Sequence, residues 1–187
     1  MPELFIFGAV FDVIAFLVIA VVRKPYPCAV LRKDIECLIG LFADASALKK
    51  KFSNEKIYSK NLPNNTVCKT LYSIAEKIRY ESLGGKILKG IKTNYEDNYN
   101  QIIGSKKKDQ LKTKEDVPVS EAFELYMLKN FHNIKLNLLA TKMLSFWEKD
   151  FDQSISEHIE YLKENLESQN KYSSKFSKIL QEMDIFQ

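Results

Sequence analysis

The chain of 187 residues is 45% hydrophobic and 12% aromatic, a composition typical of a folded domain with its own core, which excludes an intrinsically disordered protein. Its 28 basic and 24 acidic residues are mixed along the chain, so the net charge of +4 is too small to indicate a nucleic-acid partner. Arginine, the usual reader of phosphate and guanine, occurs only at Arg23, Arg32 and Arg79, and we therefore expect no binding of nucleic acid.

Residues 4–22 form an apolar run, "LFIFGAVFDVIAFLVIAVV", that only Asp12 interrupts. Its length approaches the ~20 residues of a bilayer-spanning helix, and the basic residues Arg23 and Lys24 after it would keep the rest of the chain cytoplasmic. Asp12 opposes insertion, because a carboxylate near the bilayer centre costs at least ~2.5 kcal/mol. A membrane anchor, a buried helix and an extension outside the main domain therefore stay open for residues 1–30.

The main domain is expected to span residues 31–187 and to be all-α, because glycine and proline are scarce and apolar residues recur at three- and four-residue steps. The first amphipathic helix is predicted from Leu31 to about Phe52. After a break at "NLPNN", residues 61–65, a second helix is predicted with Thr66 as its N-cap and Gly84–Gly85 as its end. Its predicted buried stripe is Val67, Leu71, Ile74, Ala75 and Ile78.

Beyond the glycines, a short helix with Ile87, Leu88, Ile91 and Tyr95 is predicted, followed by a polar, lysine-rich mobile loop near residues 104–118. Stronger helical patterns follow from Val119 to the end. Their apolar positions are Ala122, Phe123, Tyr126, Met127 and Phe131, then Leu136, Leu139, Met143, Phe146 and Trp147, then Ile155, Ile159, Leu162 and Leu166, and finally Phe176, Ile179, Leu180 and Met183. The sequence thus predicts an irregular bundle of about six or seven helices, preceded by the apolar N-terminal helix.

No catalytic, cofactor-binding or metal-binding residue is predicted. Cys28, Cys37 and Cys68 match no zinc or redox spacing, and their odd number favours reduced thiols in the core of a cytoplasmic protein. His132 and His158 lie on separate predicted helices without an adjacent ligand, so a structural role is expected for each.

One polar group on the second helix stands out. Glu76 and Arg79 are three residues apart and can pair on a helix surface, a contact worth only ~0.2–0.5 kcal/mol, whereas Glu81 points away from Arg79. Position alone favours a solvated edge beside the apolar stripe. Arg79 is nevertheless the one arginine after residue 32 in a lysine-rich chain, which indicates a planar contact that lysine could not make.

The stretch "TLYSIAEKIRYESLGGKILKGIKTNYEDNY" resembles the N-terminal helical region of the CobT subunit of aerobic cobaltochelatase. That region carries the pattern E-x-x-R-x-E-x-x-G, which falls here on Glu76, Arg79, Glu81 and Gly84. Further similar pieces keep the same order: "ADASAL" at 43–48, Pro63, "DVPVSEAFELYMLKNF" at 116–131 and "FSKILQEMDI" at 176–185. Because these pieces are collinear, the resemblance covers most of the chain from about Leu31.

The resemblance implies a role in vitamin B12 synthesis. In that family CobT joins an AAA+ ATPase subunit, and the pair drives a large corrin-binding subunit to insert cobalt with ATP and magnesium. Neither the corrin site nor the ATPase site belongs to CobT, so this chain is expected to bind no cofactor itself and to act as a non-catalytic protein-interaction domain. Phe52, Ser53 and Tyr58 stand where the resemblance leads us to expect histidines, which counts against metal handling.

Two further expectations follow from the resemblance. The chain ends where the family's helical region ends, so we expect a truncated relative that lacks the von Willebrand type A domain. Arg79, flanked by Glu76 and Glu81, either fastens the helical domain internally or contacts a partner subunit. The alternative function is a membrane-tethered helical adaptor unrelated to cobalt insertion, which the apolar residues 4–22 suggest.

Overall fold

The computed structural model describes residues 45–87 and 111–183, all within one compact unit, Ile39–Gln187. This part of the chain is helical and contains no strand, which confirms the all-α prediction. In these residues the α-helices are α1 (Glu55–Lys60), α2 (Thr66–Ile87), α3 (Val119–Met127), α4 (Leu138–Ser145), α5 (Glu148–Ile155), α6 (Ile159–Glu164) and α7 (Gln169–Glu182). Residues 45–52 are also helical.

Several predictions lie outside the described residues. They are the apolar N-terminal helix, most of the helix from Leu31 to Phe52, the helix with Leu88, Ile91 and Tyr95, and residues 104–110 of the mobile loop. Cys28 and Cys37 belong to the same group. Within residues 45–87 and 111–183, no helix has the length and apolar character needed to cross a membrane.

Helix α2 is the centre of the bundle, with α3 and α7 packed against it. Its buried stripe includes Leu71, Ala75 and Ile78, as predicted, because residues three and four apart lie on one face of a helix. Val67 was predicted in this stripe, but it is exposed. Cys68 takes the position instead, since it lies three residues before Leu71, and its burial confirms the core role predicted for this thiol.

The predicted start of α2 is wrong by one residue. Thr66 is the first helical residue, and the preceding Asn65 provides the cap. The Asn65 Oδ1 accepts hydrogen bonds from the backbone nitrogens of Val67 at 2.8 Å and Cys68 at 3.3 Å. Asparagine is at least as good a cap as threonine, because its short carbonyl side chain reaches the free N–H groups of the first turn.

The predicted end of α2 is also wrong. The helix passes through Gly84 and Gly85 to Ile87, and no glycine in the described part has a positive φ. Gly84 serves close packing instead: a Cβ built on it would lie 2.6 Å from each δ-carbon of Leu48. The absence of a side chain therefore lets the helical stretch 45–52 pack closely against α2.

Helices α3, α5 and α7 contribute aromatic side chains to the core. Phe123 of α3 contacts Phe151 of α5 and Phe176 of α7 edge to face, with ring centroids 5.6 and 6.0 Å apart. This geometry suits the ring quadrupoles, and all three rings are fully buried. Phe123 and Phe176 are predicted apolar positions and lie in this core, whereas Phe151 was not predicted; the predicted position of α5 that is buried is Ile155.

The helices after residue 118 are interrupted more often than the sequence predicted. A π-helical turn, Leu128–His132, ends α3, and a 3-10 turn, Ser156–His158, separates α5 from α6 where a single helix was expected. Helix α1 was not predicted at all. Its six residues are too few to give a periodic apolar pattern, and none of them is buried.

Residues 111–118 of the predicted mobile loop make contacts with the bundle. The indole Nε1 of Trp147 donates to the carbonyl of Val117 at 3.0 Å, and Val117 is buried. Lys114 pairs with Asp150 at 2.7 Å and lies 4.2 Å from the centre of the Trp147 ring. This end of the connector is thereby fastened to α5.

Candidate functional site

The predicted solvated edge of α2 is instead the interior of the protein. Arg79 is fully buried, and Glu76 is 3% exposed. Helix α7 covers this side of α2, and its residues that contact Glu76 are more than 90 positions away in the sequence. The prediction of a solvated pair was wrong because the spacing within one helix does not show which neighbour will cover it.

The Arg79 guanidinium makes four hydrogen bonds. Its Nε donates to the Glu76 Oε2 at 3.1 Å, and its Nη1 donates to the carbonyl of Leu166 at 3.1 Å. Its Nη2 donates to the carbonyl of Phe52 at 2.7 Å and to the Ser53 Oγ at 3.1 Å. One planar group with five donors thus connects three separate parts of the chain.

The two carbonyls that Arg79 binds lie at the end of a helix or just beyond it. Phe52 is the last residue of the helical stretch 45–52, and Leu166 lies two residues beyond the end of α6. The Phe52 carbonyl is in the last turn of its helix, where it has no partner within that helix and carries partial negative charge, so a buried cation there is favourable. A lysine, with three donors on one nitrogen, could not reach all of these acceptors.

Helix α7 completes the site by binding the Glu76 carboxylate. The Ser173 Oγ donates a short hydrogen bond to the Glu76 Oε1, and the Gln169 Nε2 donates to the Oε2 at 3.3 Å. Gln169 also holds the start of α1, because its Oε1 accepts from the backbone nitrogen of Asn54 at 2.6 Å. We call Glu76, Arg79, Gln169 and Ser173 the Arg79 cluster.

Sequence reasoning missed Gln169 and Ser173. The signal was present, since both lie at helical spacing with the core residues Tyr172 and Phe176 and so occupy buried positions of α7. Polar residues on a buried stripe need partners, which Glu76 supplies here. Tyr172, between them, donates to the carbonyl of Ala75 at 3.0 Å, and its burial raises the pKa of its phenol well above the usual value.

The four motif residues do not converge on one site. Glu76 and Arg79 face α7 within the Arg79 cluster, and Gly84 contacts Leu48. Glu81 lies apart from them, 1% exposed, and its Oε2 has no hydrogen-bond partner in the part of the chain that the structure describes. Burial raises the pKa of the Glu81 carboxyl to about 8; the nearby Lys77 opposes this increase, and the charge of Glu124 adds to it.

The histidines are placed in different surroundings. His132, in the π-helical turn, is buried with its Nε2 3.1 Å from the Ser82 Oγ. His158 is partly exposed, and its Nε2 lies 3.2 Å from the carboxylate of Glu157. Over residues 45–87 and 111–183, no three histidine, cysteine or acidic residues are grouped closely enough to hold a metal ion.

The chemistry of the Arg79 cluster is that of a buried fastening between helices. All its polar groups bind within the chain, and its acceptors are carbonyls and a carboxylate that need a cation or donors. No curated protein and no solved structure matches the chain. The family model for the cobalamin biosynthesis protein CobT matches residues 22–187, and the chain therefore belongs to the CobT family.

Proposed function

We propose that this protein is a non-catalytic assembly subunit of the ATP-dependent cobaltochelatase of cobalamin biosynthesis. The observation that carries the proposal is the family match over residues 22–187, nearly the whole chain. On this proposal the partners are an AAA+ ATPase subunit and a large corrin-binding subunit, and cobalt is the substrate of the complex. The chain would supply a rigid helical surface to that complex.

The Arg79 cluster supports this role indirectly. Its guanidinium and carboxylate form hydrogen bonds that connect α2 with α7, with Phe52 and with Leu166, so they fix the relative positions of helices. A subunit that acts by presenting a surface needs such fixed positions, because affinity is lost when a binding surface must first be ordered. In this proposal Arg79 supports the interface from within and does not itself touch the partner.

The test is reconstitution of the complex from purified subunits. The full-length chain is mixed with the ATPase subunit and the large subunit of the same organism, with and without ATP, and analysed by sedimentation velocity. We expect co-sedimentation with one of the two. A folded chain that sediments alone at tens of micromolar with both subunits would refute the proposal.

A comparison of two variants then separates interior support from direct contact. Arg79→Lys keeps the charge but loses bonds to Phe52 and Leu166, whereas Lys163→Met changes a partly exposed residue of α6. If Arg79 acts from within, its variant loses binding in proportion to its loss of folded structure by circular dichroism. Loss of binding by a fully folded Arg79→Lys protein would instead make Arg79 a contact residue.

The rival function is a membrane-tethered adaptor, favoured by the apolar run of residues 4–22. The family match begins at residue 22, so all of this run except its last residue lies outside it. Extraction of membranes with alkaline carbonate tests the tether on the full-length chain. Release into the soluble fraction would rule the tether out, and retention would add a membrane anchor to the CobT-like domain.

A further inference from the structure

Glu81 is a buried carboxyl group on α2, the helix that packs against α3. It is 1% exposed, and its Oε2 has no hydrogen-bond partner among the described residues. An ionised carboxylate in this position would lack the donors that normally compensate its loss of water. The neutral acid is therefore the form that suits the packed structure.

The charged groups that act on Glu81 in the described part of the chain are Lys77 and Glu124. Lys77 lies four residues earlier on α2, and its Nζ forms a 3.0 Å ion pair with the Glu124 Oε1 of α3. Tyr80 is its neighbour on α2; burial raises the pKa of that phenol, and the charge of Glu81 adds to the increase. His132, from the π-helical turn packed on α2, has its Nε2 3.1 Å from the Oγ of Ser82, the residue after Glu81.

Lys77 can therefore pair in two directions. Glu124 connects it across to α3, whereas Glu81 is at the i,i+4 spacing that allows a salt bridge within α2. When Glu81 is neutral, Glu124 is the one of these two carboxylates that carries a negative charge and attracts Lys77. When Glu81 is ionised, the two carboxylates compete for one ammonium group, and the buried one has more to gain because its Oε2 has no hydrogen-bond partner among the described residues.

We propose that Lys77 exchanges its partner from Glu124 to Glu81 when Glu81 loses its proton, and that this exchange weakens the contact between α2 and α3. The proton passes from the Glu81 carboxyl to water, and one ion pair breaks as the other forms. The device is a pH-sensitive latch within the helical bundle. It does not depend on the function proposed for the protein.

The direction of the pH dependence follows from burial. Burial raises the pKa of Glu81 from the ordinary value of 4.5 to about 8. The folded state therefore holds this proton more tightly than the unfolded state, and the resulting contribution to folding stability is fully present below about pH 4.5. That contribution is lost progressively as the pH rises through about 8. Burial by itself lowers the pKa of Lys77, but the charges of Glu81 and Glu124 outweigh this effect and raise the pKa above its ordinary value, so the ammonium stays charged throughout this range.

The experiment is a double-mutant cycle for Lys77 and Glu124 in the full-length chain. Urea midpoints are measured at pH 6.5 and pH 9 for the parent, Lys77→Met, Glu124→Gln and the double variant. The same cycle is repeated with Glu81→Gln, in which an amide replaces the neutral acid. Lys163 and Glu160, an exposed pair on α6 at 3.0 Å, give the matched control cycle.

We expect coupling between Lys77 and Glu124 at pH 6.5 that disappears at pH 9. In the Glu81→Gln background the coupling should be the same at both values, and the control pair should not change. Equal coupling at both pH values in the parent would overturn the proposal. So would a loss of coupling at pH 9 that persists in Glu81→Gln, because Glu81 would then not be the competing group.

Discussion

Replacement of Arg79 by methionine tests the Arg79 cluster most directly. Methionine keeps much of the side-chain volume but removes the cation and all four of its hydrogen bonds. Glu76 is left as a buried carboxylate with donors from Ser173 and Gln169 but without a counter-charge. Breaking a buried ion pair from one side costs about 3–5 kcal/mol, a large share of the ~5–15 kcal/mol that stabilises a typical domain.

The assay is urea unfolding of the full-length chain, followed by circular dichroism at 222 nm and by the fluorescence of Trp147, the one tryptophan. We expect Arg79→Met to lower the free energy of unfolding by about 3–5 kcal/mol. Lys163→Met is the matched control, because it breaks an exposed pair with Glu160, and it should cost under about 1 kcal/mol.

A second substitution separates charge from packing. In the Arg79→Met background, Glu76→Gln removes the unpaired buried charge, so the double variant should be more stable than Arg79→Met alone. A loss below about 1 kcal/mol for a folded Arg79→Met protein would refute the view that the cluster fastens the bundle. A double variant less stable than Arg79→Met would refute the assignment of the cost to the charge of Glu76.

Three further predictions concern local contacts, each measured by urea unfolding and circular dichroism. Gly84→Ala should lower stability by about 1 kcal/mol through the clash with Leu48, but should raise it in the Leu48→Ala background, where the helical preference of alanine remains. Asn65→Ala should cost about 1 kcal/mol through loss of the cap. Trp147→Phe should cost about 1 kcal/mol, because the carbonyl of buried Val117 loses its donor. No loss at any one of these sites would contradict the contact assigned there.

The sequence by itself determined the fold class and the family. Apolar residues at three- and four-residue spacing specify helices, and the same positions, such as Leu71, Ala75 and Ile78, form the core because one helix face must be buried. The four-residue motif on α2 and its collinear companions were enough to indicate the CobT family, which the match over residues 22–187 confirms. These properties are local or linear, so they can be read along the chain.

Only the tertiary structure decided what the polar residues do. Glu76 accepts a hydrogen bond from Gln169, 93 positions away, the charge of Glu124 on another helix acts on Glu81, and Gly84 packs against Leu48 of a third segment. The spacing within α2 gave no information on these partners, so a buried cluster looked like a solvated edge and a packing glycine looked like a helix end. Burial and charge depend on which elements cover a face, and that is fixed by the packing of distant segments.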